Sequence, residues 1–491
     1  MQLIEVLLEY YYIKTNRGET MKIIISNIIQ VNQPTEEIKN YCKKELIIKN
    51  PSYSKKIQMG FFVGKTPKVI HLFDYDSDNI YLPIGCFDDI YNMYPDTSLY
   101  TDYSVKVERK IESNIKLRNY QEPCLDALKT YVNGLFILPC GLGKTECALQ
   151  TAYYLQQHTL FITHTKDLMK QAKDRCEEKM KCTTSIISDG KIDVSGDIVF
   201  ATVQTLFKNL EDISQSEFGL IVVDECHHLS ANADSVSMFR TSLDHFAARY
   251  KLGLTATLHR ADGLEKCIPK LLGNPIYEIK QDGQDYVGIY QNKEVIRFPM
   301  DEFQVPVKIN LINTEYNLFD DSINDYRDVF DANGMTISFS KLLSNIATDK
   351  KRNEIIIKLC KSIKGSIIIL SDRIEQLKYL NEHIDNSVQI DGTTNKKVRE
   401  KALEDIKKGK FKVLLASYKL AKEGLDCKIL ENVIFATPIK DEAIVVQCIG
   451  RVQRPYEGKK IANVYDLVDD VSMLAKFLSK RRSIYKKKGW W

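Results

Sequence analysis

Hydrophobic and polar positions follow one rhythm twice along this chain. Between residues 112 and 275 the short apolar runs LFIL, LFIT, DIVFAT, GLIVVD and KLGLTA alternate with amphipathic stretches, and each run stops where a loop begins. Continuous apolar runs of this length, separated by helix-length segments, predict strands buried on both faces of a parallel sheet. The rhythm returns from about residue 346 with SIIIL, SVQID, KVLLAS, NVIFA and NVYDLV. Residues 21–110 read differently, with strand-like runs (KIIISNII, PKVIHLF, NIYLPIG) around one helical pattern at EEIKNYCKKELI, which predicts a small α+β domain. Residues 276–345 lose the pattern and carry turn-rich, mixed-charge sequence, and so read as a connecting insert with some structure of its own. The division expected is a dispensable extension over 1–20, an accessory domain over 21–110, α/β domains over 112–275 and 346–491, and the insert between them. Met21 stands directly before a good strand, so translation starting at Met1 or at Met21 is equally compatible with the pattern.

The stretch LFILPCGLGKTECALQ (135–150) combines a strand, a glycine-containing loop and a helix start. Its GKT ending fits a phosphate-binding loop, although Leu138 stands where the pattern usually has its first glycine. Gly141 and Gly143 let backbone N–H groups turn toward a phosphate with no Cβ in the way. The loop Pro139, Cys140, Gly141, Leu142, Gly143 would wrap the phosphates, with Lys144 on the β- and γ-phosphates, Thr145 on Mg²⁺, and the positive helix end adding to the attraction. The run VVDECHHL (222–229) offers a second site. Cys226, His227 and His228 are zinc-ligand residue types, but adjacent histidines do not match a standard zinc spacing. As the end of a buried parallel strand, the run instead brings Asp224 and Glu225 to the edge where open α/β sheets bind ligands. Asp224 would hold Mg²⁺ and Glu225 would orient an attacking water.

With these two motifs the sequence resembles the superfamily 2 helicases and translocases of the DExH group, from about residue 115 to 455. LRNYQ (117–121) is similar to the glutamine motif, implying Arg118 and Gln121 near the adenine. THTKDLMKQA (163–172) and ATVQTL (201–206) resemble motifs Ia and Ib/Ic, which touch the nucleic-acid backbone in the family. LTAT (254–257) is similar to motif III, implying that Thr255 and Thr257, with His227, couple hydrolysis to domain movement. SDRIEQLKYL (371–380) resembles motif IV, and ASYKLAKEGLD (416–426) resembles motif V through Gly424 and Asp426. QCIGRVQR (447–454) matches motif VI at every defined position, with Gln447 in a coupling role and Arg451 and Arg454 as arginine fingers. The fold implied is two tandem RecA-like parallel-sheet domains with a small N-terminal α+β accessory domain. LPCGLGKT, VVDECHH and GLTATLHRADG look more like XPB- and UvsW-type DNA helicases, including phage-encoded branch-migrating ones, than like DEAD-box RNA helicases. Arg260 and Asp262 resemble a short Arg-x-Asp element of that branch, and equally an exposed loop salt bridge.

Composition narrows the remaining choices. A net charge of +4, from 69 basic against 65 acidic residues, leaves nucleic-acid binding to local patches. One candidate is the accessory domain, with Lys55, Lys56 and Lys65 near Tyr53 and Phe61. Another is the basic tail, with Lys476, Lys480, Arg481 and Lys488 on a helix and Trp490–Trp491 at its end. Twelve cysteines without a C-x-x-C pair suit a reducing, cytoplasmic setting, possible also for a viral protein in its host cell, and no apolar run is long enough for a membrane span. The expected function is an ATP- and Mg²⁺-dependent motor acting on duplex or branched DNA in replication, recombination or repair, with protein partners left open. Two alternatives stand beside it: an RNA or transcript-release helicase, and the motor subunit of a restriction-type nuclease using Asp96, Glu108 and Lys110 in a P-D…E-x-K pattern.

Overall fold

The computed structural model describes residues 21–491 apart from 65, 140, 231–232, 259–263, 284, 319–328, 331–336 and 426. Cys140, Arg260, Asp262, Asp426, Lys65 and the 1–20 extension therefore lie outside the described residues. The chain forms two compact units. One reaches to Lys280 and takes in Val287–Arg297; the other comprises Gln281–Tyr286 and Phe298–Trp491.

In the first unit the apolar runs become the parallel strands Ile198–Thr202, Thr159–Thr163, Leu220–Val223, Tyr250–Thr255 and Asn133–Ile137, adjacent in that order. Every residue of Leu220–Val223 and of Thr159–Thr163 is buried. Burying one such aliphatic side chain is worth roughly 1.5–3 kcal/mol, so the central strands anchor the unit. Because the strands are parallel, the loops that follow them all emerge at one edge of the sheet.

The accessory region is an α+β element built on a five-stranded sheet: Asp74–Tyr75, Asn79–Leu82, Ile29–Asn32, Lys22–Ile25 and Tyr100–Asp102. It does not stand apart from the first α/β sheet. Ile23, Leu82, Ile84 and Ile90 share one apolar core with Leu135, Leu160 and Ile221. A methyl group on Gly85 would come within 2.4 Å of the Pro269 carbonyl, so glycine is what lets the two backbones meet. Lys251 is fully buried and donates to the Asn27 carbonyl at 2.9 Å and the Leu243 carbonyl at 2.7 Å. Burial pushes its ammonium down to about 8, with Asp244 opposing. Lys270 pairs with Asp89 at 2.7 Å, and Arg240 pairs with Asp74.

The second unit is a six-stranded parallel sheet in the order Val307–Asn317, Ala462–Asp470, Asn432–Phe435, Ile367–Leu370, Val413–Ala416 and Ser387–Ile390. The 276–345 stretch supplies strands to both sheets: Pro275–Asp282 runs parallel to Asn133–Ile137 and is followed in the first sheet by Asp285–Tyr290 and Lys293–Pro299, and Val307–Asn317 runs parallel to Ala462–Asp470. Val307–Asn317 lies at the edge of its sheet, where a strand is patterned by whatever covers it.

The basic tail is less free than its composition suggests. In the helix Ser472–Lys487, Arg481 is buried and donates to Asp466 at 2.8 Å and to the Ile439 carbonyl at 2.7 Å. Trp490 packs on the core of the second unit, and Trp491 stacks on Tyr485 with Arg482 over its ring. These groups are engaged inside the unit, so Arg481 and Trp490 do not present the nucleic-acid surface expected of them.

One ion pair knits the second sheet. Arg352, on the helix Lys350–Ser362, is fully buried; it grips Asp469 through Nε (2.7 Å) and a terminal nitrogen (3.2 Å), and donates to the Ala436 carbonyl at 2.6 Å. Thr314 on the edge strand donates to the same Asp469 carboxylate at 2.5 Å. Removing one partner leaves the other charge buried and uncompensated. Arg352→Ala is therefore expected to cost about 3–5 kcal/mol, read as a lowered denaturant midpoint for the second unit's transition, and an unchanged midpoint would contradict this account.

Candidate nucleotide site and the strand-end loops around it

The phosphate-loop sequence forms the turn it predicts. After the strand Asn133–Ile137 the chain turns through Gly141 (φ 89°) and Gly143 (φ 78°) into the helix Lys144–Leu155. Both glycines are left-handed, where a side chain is strained. Gly143 is also crowded: a Cβ there would lie 2.3 Å from Gln121 Nε2. Gln121 is buried; its amide donates to the Leu142 carbonyl at 2.9 Å, while its Oε1 accepts from Arg118 N at 2.9 Å. The glutamine motif thus buttresses the phosphate loop directly. Pro139 and Leu142 complete the described part of the turn, and Thr145 follows Lys144 in the first turn of the helix.

Asp224 and Glu225 follow the strand Leu220–Val223, two places from the phosphate-loop strand in the sheet order. Lys144 Nζ lies 3.3 Å from Glu225 Oε1. Glu225 holds a left-handed backbone (φ 48°), which costs of order 1 kcal/mol or more for a non-glycine residue and is kept only where its surroundings demand it. Burial alone would raise both acids. For Asp224 burial dominates, reinforced by the neighbouring Glu225 carboxylate, and its carboxyl is pushed up. For Glu225 the Lys144 ammonium and His227 outweigh burial and hold it well below the usual carboxylate range. The edge thus carries two carboxyls, Asp224 buried and Glu225 half-buried, with the Lys144 ammonium and the His227 imidazole beside Glu225. Asp224 and the Thr145 hydroxyl would supply the oxygen donors Mg²⁺ prefers. Glu225 Oε2 is buried, with His227 Nδ1 3.2 Å away.

A polar chain leads away from Glu225. His227 Nδ1 stands 3.2 Å from Glu225 Oε2 and 3.1 Å from Thr255 Oγ1. The Thr255 hydroxyl donates to the Thr257 carbonyl at 2.8 Å and accepts from Thr257 N at 3.2 Å. With its proton so placed, the Thr255 oxygen can accept from His227 Nδ1. Beyond His227 the imidazoles continue: His228 lies 4.3 Å from His227 between ring centres, and His164 stacks on His228 at 4.2 Å and 8°. The Gln204 side chain holds the His164 carbonyl at 3.3 Å. The loops after Thr159–Thr163, Ile198–Thr202 and Leu220–Val223 are linked in this way. His164, His228 and Gln204 escaped the sequence reading as site residues. The only signal was a histidine in THTKD and a second histidine in ECHH, and nothing in the string says that the two rings meet.

The remaining expected residues lie in the second unit. Gly424 ends the helix Tyr418–Gly424, and Gln447 and Arg451 lie on the helix Glu442–Val452. Arg451 Nε donates to the Ala421 carbonyl at 3.1 Å, which joins the motif V helix to the motif VI helix. Arg454 follows just past the helix end, its carbonyl accepting from Lys459 Nζ at 3.0 Å. Gln447 is buried, and its Oε1 makes no hydrogen bond among the described residues.

Two matched families cover the two sheets. Residues 114–260 match the family described as type III restriction enzyme, res subunit, and residues 351–456 match the helicase conserved C-terminal domain. The chain is 27% identical over 483 residues to a protein of Acanthamoeba polyphaga mimivirus named provisionally as an ATP-dependent RNA helicase, covering 95% of this chain and 81% of that one. It is 26% identical over 371 residues to the DNA 3'-5' translocase XPB2 of Sulfurisphaera tokodaii, covering 70% and 80%. Among solved structures it is similar in fold to Saccharomyces cerevisiae Dbp5 bound to RNA and ADP BeF3, with TM-score 0.52, 15% identity, and 84% and 92% of the two chains covered. The class is a two-domain, RecA-like helicase with a nucleic-acid-stimulated ATPase. The chain belongs to the superfamily 2 helicases and is related to XPB2. No helix among the described residues is long and apolar enough to cross a membrane.

The imidazole stack gives a specific expectation. If it transmits strand contact to the Glu225 segment, His228→Ala will leave basal ATP turnover within about two-fold and reduce nucleic-acid stimulation by about five-fold or more, the scale of an ordinary coupling energy. Equal stimulation in variant and wild type, measured at saturating nucleic acid, would show that the stack is only packing.

Proposed function

We propose that this protein is a DNA motor that couples ATP hydrolysis to the remodelling or unwinding of duplex or branched DNA, in replication, recombination or repair. The observation that carries the reading is the convergence of Lys144, Asp224 and Glu225 at one sheet edge, with Lys144 3.3 Å from Glu225. In this reading the loop 139–145 binds the phosphates of ATP and Gln121, with Arg118, lies toward the base. Thr145 and Asp224 hold Mg²⁺, which neutralises charge on the phosphate oxygens. Glu225 orients the attacking water. Arg451 and Arg454 stabilise the negative charge that spreads over the γ-phosphate oxygens, and Gly424 and Asp426 contribute to nucleotide binding. His227, Thr255, Thr257 and Gln447 tie the chemistry to strand movement. DNA is favoured over RNA because motif II is Asp-Glu-Cys-His and motif III is Thr-Ala-Thr, as in the XPB-like branch, and because one relative is named as a DNA translocase.

RNA is the second reading, supported by the name of the mimivirus relative. The nuclease alternative has less behind it: Asp96 caps the turn Thr97–Leu99, accepting from Ser98 N at 3.0 Å and from its hydroxyl at 2.7 Å, and so is already engaged.

Steady-state ATP hydrolysis with single-stranded DNA, linear duplex, a four-way junction and RNA separates these readings. Stimulation greatest with the junction is expected; stimulation by RNA alone would replace DNA with RNA. A second expectation concerns the site itself. Arg454→Ala should lower turnover by about 10³–10⁵, the usual worth of an arginine finger, and Lys144→Ala should abolish it, both with nucleic-acid affinity retained. Normal turnover in either variant would refute the assignment.

A further inference from the structure

The accessory region is held to the first sheet on one side, and a separate arm leaves it. Strands Ile47–Lys49 and Val69–His71 pair antiparallel and carry the helix Pro51–Gln58 and a loop between them. The base is locked by Asn50, which is fully buried. Its Oδ1 accepts from Ser52 N at 3.0 Å, and its Nδ2 donates to the Pro67 carbonyl at 2.8 Å. The far end is closed at Gly60 (φ 67°), where Phe61 N donates to the Lys56 carbonyl at 2.8 Å and Gly60 N to the Ile57 carbonyl at 3.1 Å. This is the left-handed closure that ends many helices. Lys56 Nζ then bridges to Thr66 Oγ1 at 2.6 Å, joining the two limbs. The arm is thus internally bonded from base to tip.

What it presents is unusual. The helix buries none of its residues. Within six positions Ile57, Met59, Phe61 and Phe62 are 56%, 55%, 61% and 90% exposed. Single exposed apolar side chains need no explanation, but a cluster on an ordered projection marks an interaction surface. Its charge selects the partner. Residues 47–71 contain five lysines (49, 55, 56, 65 and 68) and no aspartate or glutamate, in a chain whose overall charge is nearly balanced. Lys55 and Lys68 are exposed. An apolar protein groove would be served by the aliphatic groups without the lysines, and continuous duplex by the lysines without the rings. Aromatic faces among lysines fit a polyanion that also offers an open base face. In DNA an open base face occurs where a duplex ends or branches.

We propose that the arm over residues 50–68 is a stacking wedge for DNA branch points, with Phe61 and Phe62 against the terminal base pair and Lys55 and Lys68 on the flanking phosphates. This deepens the DNA-motor reading and rests on it. The test uses the full chain and a forked DNA carrying 2-aminopurine at the junction. Wild-type protein is expected to change the junction fluorescence on binding without ATP. Phe61→Ala/Phe62→Ala should lose that signal and remodel the fork about ten-fold more slowly or worse, as expected for lost base stacking, while turnover stimulated by single-stranded DNA stays within about two-fold. Both rings are exposed, so the melting temperature should not move. Phe62→Leu keeps an apolar tip without a ring face and should also lose the signal; full signal in that variant would mean apolar docking and would overturn the stacking wedge. Lys55→Ala and Lys68→Ala should each reduce the salt dependence of fork binding by about one phosphate contact. Unchanged junction signal and fork remodelling in the double phenylalanine variant would overturn the proposal alone. Failure of every DNA to stimulate wild-type ATP turnover would overturn the DNA-motor reading, and the wedge with it.

Discussion

Two carboxyls crowd one sheet edge beside the Lys144 ammonium and the His227 imidazole, and the site of the first unit is built on that crowding. Lys144 can compensate Glu225 at 3.3 Å, but Asp224, pushed up by burial and by Glu225, is left wanting positive charge. The geometry follows from the sheet. A parallel strand buried on both faces can present polar groups only at its ends, so the phosphate loop and the two acids must emerge on the same edge. The left-handed backbone of Glu225 is the cost of turning that carboxylate back toward Lys144.

The same edge is tied to other loops of the unit. His227 reaches Thr255 on one side, and the His228–His164 stack on the other reaches the loops of motifs Ia and Ic. Three strand-end loops are connected through contacts between side chains and carbonyls, and none of the groups is far from the sheet. In the second unit the corresponding task falls to helices: Arg451 bonds across to the Tyr418–Gly424 helix. The buried Arg352–Asp469 pair holds the helix Lys350–Ser362, the edge strand and the Ala462–Asp470 strand in one register. An internal pair of this kind stabilises little in net terms, but it tolerates few alternative arrangements.

The accessory region illustrates how position decides the meaning of a lysine. Lys251 and Lys270 are consumed in joining it to the first sheet, whereas Lys55 and Lys68 stand on the arm beside exposed rings. Residue type is identical in the two cases. Only the fold distinguishes a cation used as a structural tie from one available to a partner.

Much of the motor was legible in the linear sequence, for a physical reason. Buried parallel strands must be uninterrupted apolar runs, and a phosphate-binding turn must contain glycines at left-handed positions, so GLIVVD, Gly141, Gly143 and the Lys144–Thr145 helix start announce themselves locally. Most of motif VI likewise lies on one helix, Glu442–Val452, and its spacing survives in the string. What depended on tertiary structure involves residues far apart in sequence or edges whose covering is unpredictable. The fusion of the accessory region with the first sheet through Gly85 and Pro269 is of this kind, as are the assignment of Pro275–Asp282 and Val307–Asn317 to different sheets and the burial of Arg481 against Asp466. So is the His164–His228 stack, which joins residues from separate strands. Local pattern reports what a residue does to its own strand or helix; which distant group it meets is decided by packing, and packing is a property of the whole chain.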